Sequence, residues 1–234
     1  MRASLARHIG AFKKALESLT DYYLMLTPFV SLNNWVAPQF PDPRSYRSLS
    51  TGTKVHFNYI SRIDEKNLLF TAKITSGLSM EKVFMKFVHQ YLVEAHQICA
   101  SMGFAPNLRG FEGLASGWKM VVMNLIDEEY ICLHEMPPPI GIYEDLKALL
   151  VNLHKVGFVH GDVRDTNIMV RKDRKPGFML LDFDWSGLVG GVRYPMNVFK
   201  SKDLWRPEAA SDGELIEPKH DLAMLNHLLN PAGL

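Results

Sequence analysis

Two short stretches hold the residue types best suited to chemistry. They are His160-Gly161-Asp162-Val163-Arg164-Asp165-Thr166-Asn167 and Leu181-Asp182-Phe183-Asp184. The apolar run Ile168-Met169-Val170 follows the first, and Phe178-Met179-Leu180-Leu181 leads into the second. Between the runs, Arg171-Lys172-Asp173-Arg174-Lys175-Pro176-Gly177 is basic and turn-prone, which predicts a hairpin. A hairpin brings two acidic groups and one amide together at its edges. Phosphoryl transfer needs such a set: a carboxylate to orient a hydroxyl and accept its proton, and an amide and a second carboxylate to hold a metal that neutralises phosphate charge.

Other elements must position these groups. Apolar residues at Leu146, Leu149, Leu150 and Leu153 give helical spacing over 143–156, introduced by Pro137-Pro138-Pro139 and ended by Gly157. Upstream, 54–63, 67–74 and 81–88 are rich in β-branched and aromatic residues and read as three antiparallel strands, with a turn at 63–67. A helix over 90–102 follows, ending near Gly103; strands are expected to begin near 105–108 and over 118–126. At the N-terminus, Leu5, Ile9, Phe12, Leu16 and Leu19 recur at helical steps, predicting a packing helix to about residue 26. Its Arg-rich start also fits a mitochondrial transit peptide. Pro28, Pro38, Pro41 and Pro43 make 27–50 an irregular connector. A final helix begins near Pro218, with Leu222, Leu225, Leu228 and Leu229 as its apolar side.

Composition narrows the class. The chain has 234 residues, 47% hydrophobic and 22% charged, with a formal net charge of +1. This suits one domain or two small lobes with a sizeable core. A near-neutral chain does not suggest a nucleic-acid binder, and no apolar run approaches the roughly 18 residues of a membrane span. Cys99 and Cys132 sit in apolar surroundings without metal-like spacing and read as reduced, buried thiols.

The motifs resemble those of the protein-kinase-like superfamily. Asp162 and Asn167 stand at that family's Asp-x-x-x-x-Asn spacing, and Asp182-Phe183-Asp184 stands where it has Asp-Phe-Gly. His160-Gly161-Asp162 departs from the usual His-Arg-Asp and is similar to aminoglycoside phosphotransferases and several atypical small kinases. Asp184-Trp185, Arg193-Tyr194-Pro195 and Trp205-Arg206-Pro207-Glu208 are similar to a group of protein-kinase-like proteins of mushroom-forming fungi. The likeness runs from about Gly52 to the C-terminus. It implies an α+β, two-lobed protein-kinase-like fold: an N-lobe of antiparallel sheet plus helix, and a short, mainly helical C-lobe. The expected organisation is 1–50 helix and connector, 51–126 N-lobe and 127–234 C-lobe.

The resemblance also implies roles. Asp162 would be the catalytic base, Asn167 and Asp182 the ligands of Mg²⁺, and Lys86 the grip on the ATP phosphates. Glu94 would pair with Lys86. Met123 would line the adenine pocket, and the backbone of Asn124, Leu125 and Ile126 would hydrogen-bond the base. Arg164 would offset transition-state charge. Asp221 matches the buried aspartate that tethers the catalytic loop.

Each residue also has a plainer reading. Lys86 could be an edge-strand lysine facing water, and Glu94 a solvated helix residue. Arg164 could pair with Asp165 or a later carboxylate. Asp221 could be a helix N-cap, and the acidic Asp127-Glu128-Glu129 is commonly just solvated. His160 is expected to brace the loop by hydrogen bonds, and His154 to be packed or on the surface.

Three departures carry consequences. The loop expected to cover the phosphates is not glycine-rich, so backbone N–H groups approach phosphate less freely. Gly161 removes the arginine that reads a phosphorylated activation loop, so no phosphoswitch is expected. Asp184 in place of glycine tolerates positive φ poorly, which should stiffen the loop, and it could add a metal contact. The expected function is ATP- and Mg²⁺-dependent transfer to a hydroxyl of protein Ser/Thr. A pseudokinase scaffold and a small-molecule kinase are the alternatives. The expected partners are a hydroxyl substrate and a protein that completes the short C-lobe, in the cytoplasm or nucleus, with neither nucleic acid nor membrane.

Overall fold

The computed structural model describes residues 2–25, 42–64, 67–76, 79–201 and 204–229. The chain forms two units, Met1–Pro41 and Asp42–Leu234. The first holds α1 (Arg2–Met25). Ile9, Phe12, Leu16 and Leu19 of its expected stripe are exposed, and α1 is the one element among the described residues of that unit. Pro28, Pro38 and Pro41 of the expected connector lie outside the described residues, as do Glu65 and Lys66 of the expected turn.

The second unit begins with an antiparallel sheet of six strands. These are β1 (Ser45–Arg47), β2 (Lys54–Asp64), β3 (Leu69–Ser76), β4 (Ser79–Val88), β5 (Leu108–Gly113) and β6 (Lys119–Asn124), in the order β1-β2-β3-β4-β6-β5. The edge strand β1 corrects the expectation of an irregular connector through residue 50. Tyr46 is buried and lies over Gly110, whose missing Cβ leaves room for the ring. Strand β4 lies between β3 and β6, so Lys86 is not on an edge and the solvated-lysine reading fails. Its register pairs Lys86 with Leu69 on one side and Phe84 with Met123 on the other. Val83, Met85 and Phe87 are buried on the opposite pleat, so Phe84 and Lys86 share the other face.

Helix α2 (Val93–Ser101) turns Ala95, His96 and Cys99 inward. After β7 (Tyr130–Cys132), α3 (Ile142–Lys155) buries Leu146, Leu149, Leu150 and Leu153, the predicted stripe. It carries Glu144 and Asp145 in its first turn and His154 and Lys155 in its last, matching the helix dipole. Gly157, at φ +89°, ends it. Strand β8 (Phe158–Val159) leads into the loop of residues 160–167. The predicted hairpin is β9 (Ile168–Arg171) and β10 (Phe178–Leu180), antiparallel with Met169 opposite Met179; β7 pairs with β9 on the other side. Strand β11 (Gly187–Leu188) pairs with β8, and α4 (Pro218–Leu229) closes the described chain. One core joins α2, α3, the hairpin and α4 through residues such as Leu150, Ile168, Phe178, Phe183 and Leu225.

Candidate active site

The loop after β8 is held from behind. Asp221, in the first turn of α4, is fully buried. It accepts hydrogen bonds from the backbone N–H groups of His160 (2.8 Å) and Gly161 (2.7 Å), and its Oδ2 lies 2.9 Å from Nε2 of His154. Asp221 is thus the tether, and His154 supports it. His160 braces the loop as expected. Its Nε2 lies 3.0 Å from the carbonyl of Leu181, and its Nδ1 lies 3.3 Å from the N–H of Asp162. A carbonyl only accepts, so this network assigns the proton to Nε2. One ring therefore couples the two chemical stretches.

Gly161 stands at φ +86°, where side chains are strained. A Cβ there would meet the Trp185 carbonyl and Ile216 Cδ1, both at 3.0 Å. This loop conformation therefore leaves little room for an arginine at position 161.

Asp162 is 5% exposed and already paired. Asn167 donates through Nδ2 to the Asp162 carbonyl (2.9 Å) and to Oδ2 (3.1 Å), which leaves its Oδ1 for a cation. Arg164 Nε lies 3.3 Å from the same Oδ2, so its partner is Asp162 rather than Asp165 or a later carboxylate. Sequence reasoning missed Arg206. Its Nη2 lies 2.5 Å from Asp162 Oδ1, and the residue is 6% exposed. The Trp-Arg-Pro-Glu string gave no hint of this, because the contact spans 44 residues.

Lys86 Nζ lies 2.6 Å from Asp182 Oδ1 and 2.8 Å from Asp184 Oδ1. These carboxylates, not Glu94, position the lysine. Glu94 lies in the first turn of α2 with its side chain exposed, while Ala95 and His96 take the inward positions; it forms no ion pair among the described residues. Burial opposes the Lys86 charge, but the two aspartates outweigh it and raise its pKa. Burial also opposes ionisation of Asp182, yet Lys86 outweighs it and lowers that pKa. Asp184 is the weaker acid: burial and the Asp182 charge push it up to about 7. Two carboxylates sharing one ammonium leave a charge deficit that a divalent cation suits, and the Asn167 oxygen adds a hard donor. The residues fit Mg²⁺.

Positive φ falls at Asp182 (+68°), not at Asp184, so the strain expected at the third motif position sits at the first. Phe183 is fully buried. It stacks on His96 at 4.7 Å between ring centroids and meets His160 edge-on at 5.1 Å. Burial lowers the His96 pKa to about 4, so this ring is neutral. Its nitrogens meet Tyr91 Oη (2.5 Å) and the Pro106 carbonyl (2.7 Å). The aromatic cluster fixes the Asp182-Phe183-Asp184 turn against α2.

Two cavities meet at Asp182. The larger, about 380 Å³, is lined by Phe84, Lys86, Met123, Asn124, Leu125, Ile126, Asn167 and Asp182, with Leu181 and Met169 also in its wall. All four residues expected at an adenine pocket therefore line one cavity with Lys86 at its polar end. The Asn124 N–H is already engaged by the Asn107 carbonyl at 2.9 Å, so that one donor of the expected set is taken. The smaller cavity, about 220 Å³, is lined by Asp162, Arg164, Asp182, Asp184, Trp185, Asn197, Phe199, Leu204 and Arg206. The acidic Asp127-Glu128-Glu129 borders neither of these cavities. Among the described residues, no helix is long and apolar enough to cross a membrane.

No protein-family model and no curated protein matches the sequence. Solved structures do. The chain resembles the Cydia pomonella granulovirus kinase PK-1 at 19% identity with a TM-score of 0.48, covering 57% of this chain and about half (53%) of that one. It resembles vaccinia related kinase 3 at 17% identity with a TM-score of 0.51, covering 81% of this chain and 67% of that one. With its antiparallel sheet, its α2, and its hairpin and helices beyond the cavity, the unit from Asp42 to Leu234 has a protein-kinase-like fold.

Proposed function

We propose that this protein is a kinase-like phosphotransferase that uses ATP and Mg²⁺ to phosphorylate a hydroxyl, with protein Ser/Thr as the preferred acceptor. The observation that carries this reading is the convergence of Lys86, Asp162, Asn167 and Asp182 at the junction of two cavities. Lys86 comes from β4, Asp162 and Asn167 from the loop after β8, and Asp182 from the turn after β10.

In this reading the apolar cavity between Phe84, Met123 and Leu125 takes the adenine, and Lys86 binds phosphate oxygens. Asn167 and Asp182 would hold Mg²⁺, which neutralises phosphate charge when bound. Asp162 orients the acceptor hydroxyl and takes its proton. Two of the roughly four acceptor sites on its carboxylate take hydrogen bonds, from Arg206 on Oδ1 and from Asn167 on Oδ2, while Arg164 Nε sits 3.3 Å from Oδ2 as an ion-pair partner without a hydrogen bond. One site on Oδ1 is left for the hydroxyl. Arg164 and Arg206 offset charge that develops beside Asp162.

The second reading is a pseudokinase scaffold. Its support is that Lys86 is occupied by two carboxylates and that residues 63–67, the turn expected near the phosphates, contain no glycine.

Thermal unfolding with ATP, with and without Mg²⁺, tests the proposal on the wild type and Asp182→Asn. Occupancy at a hundred times Kd adds about 2.7 kcal/mol, a rise of roughly 5–10 °C for a chain of this size. A Mg²⁺-dependent rise that disappears in Asp182→Asn is expected. No rise at millimolar ATP would favour the scaffold. Transfer from labelled ATP to peptides rather than small molecules would then identify the acceptor class.

A further inference from the structure

Arg206 joins the base to a segment far away in sequence. It lies between Trp205 and Pro207, after residues 193–201, where Asn197 and Phe199 help line the smaller cavity. Its guanidinium reaches Asp162 through Nη2 and lies over the Trp185 ring, 4.5 Å from the centroid. Trp185 meets Tyr194 edge-on at 5.8 Å, and Tyr194 stacks on His220, the neighbour of Asp221. Asp221 in turn holds the N–H groups of His160 and Gly161. A closed circuit therefore runs from Asp162 through Arg206, Trp185, Tyr194 and α4 back to the loop that carries Asp162.

The rest of the segment is pinned by local bonds. Tyr194 N–H donates to the Glu214 carbonyl (2.9 Å), and Val198 N–H to Asp212 Oδ1 (2.7 Å). Lys200 Nζ caps the carbonyls of Pro207 and Glu208. None of these bonds reaches the loop of residues 160–167. Among the described residues, Arg206 is the one charged side chain of residues 193–208 that pairs with it.

We propose that Arg206 is a positioning residue that clamps the acceptor-lining segment onto Asp162, so that the acceptor site is assembled without phosphorylation of that segment. The cation is built into the segment and the anion is the base itself. This reverses the arrangement in which a loop arginine awaits a phosphate, and Gly161 leaves no side chain for that older arrangement. The acceptor role rests on the phosphotransferase reading; the clamp does not.

Hydrogen exchange of the nucleotide-free protein tests the clamp. In Arg206→Met, which keeps the bulk and removes the charge, amides of residues 196–201 should exchange at least about tenfold faster, with α3 unchanged. Arg206→Lys should recover most of the protection, which a residue acting only by its volume would not do. Asp162→Ala should loosen the same amides, and the double variant Arg206→Met/Asp162→Ala should loosen them no further, because one contact is lost once. Wild-type protection in Arg206→Met, or full additivity in the double variant, overturns the clamp. The Mg²⁺–ATP thermal shift of the wild type is read separately: its absence ends the phosphotransferase reading and leaves the exchange result to decide the clamp.

Discussion

Lys86 Nζ lies 2.8 Å from Oδ1 of Asp184, a residue standing where kinase-like motifs usually carry glycine. The same ammonium lies 2.6 Å from Asp182. Asp184 is thus not an inert replacement. It competes for the lysine and shares its charge with a second acid.

The first prediction concerns pH. Asp184 is raised from 3.8 to about 7 by burial and then by Asp182. Its folded-state pKa lies above its unfolded value, so its contribution to stability is full below about pH 4 and is lost as pH rises through about 7. Asp184→Asn removes that pH-dependent contribution. The melting temperature of Asp184→Asn relative to wild type, measured in EDTA, should therefore climb between pH 5 and pH 8. A difference that stays flat across this range would refute the assignment.

The second prediction concerns the tether. Asp221→Ala leaves the N–H groups of His160 and Gly161 without their acceptor inside the protein. Each unsatisfied group costs about 1–3 kcal/mol, so urea unfolding should show a loss of roughly 2–6 kcal/mol. Asp221→Asn, which keeps one acceptor oxygen, should lose less. Equal losses would mean that the site responds only to volume.

Gly161 gives a third. At φ +86°, with the Trp185 carbonyl 3.0 Å from any added Cβ, Gly161→Ala should destabilise by about 1–3 kcal/mol. Gly161→Arg, which would recreate the commoner kinase motif, should cost at least as much. Denaturant midpoints would show it; a neutral alanine would mean that the loop can shift.

The fourth concerns phosphorylation. Ser186 is 2% exposed and its hydroxyl donates to the His160 carbonyl at 3.1 Å, so a kinase could not reach it in the folded state. Ser201 is exposed, and its Oγ accepts from Leu204 N–H in a local turn. Ser201→Glu should leave both the Mg²⁺–ATP thermal shift and the exchange of residues 196–201 within about twofold of wild type. A tenfold change would reinstate a phosphoswitch.

The local elements were legible because their signals are local. The leucines of 143–156 repeat at helical steps, and the residues around Arg174 and Gly177 turn the chain between two apolar runs, so α3 and the β9–β10 hairpin follow. The motif spacing named Asp162, Asn167 and Asp182, and the hairpin supplies the closeness that their proposed roles need. The unexpected strand β1 depended on Gly110, more than sixty residues away, accepting the Tyr46 ring. The exposed stripe of α1 shows the converse: periodicity marks an apolar face but not what covers it.

What the sequence by itself determined is the set of chemical groups and their order along the chain, since residue type and spacing are covalent facts. Which group pairs with which was decided only by the tertiary structure. Glu94 was the carboxylate expected beside Lys86, but it lies exposed on α2, and Asp182 and Asp184 hold the lysine instead. Arg206 had no local pattern to announce it. An ion pair between residues 44 apart exists only once α4, Trp185 and Tyr194 have packed, because a buried charge is stable only where folding has already placed its partner.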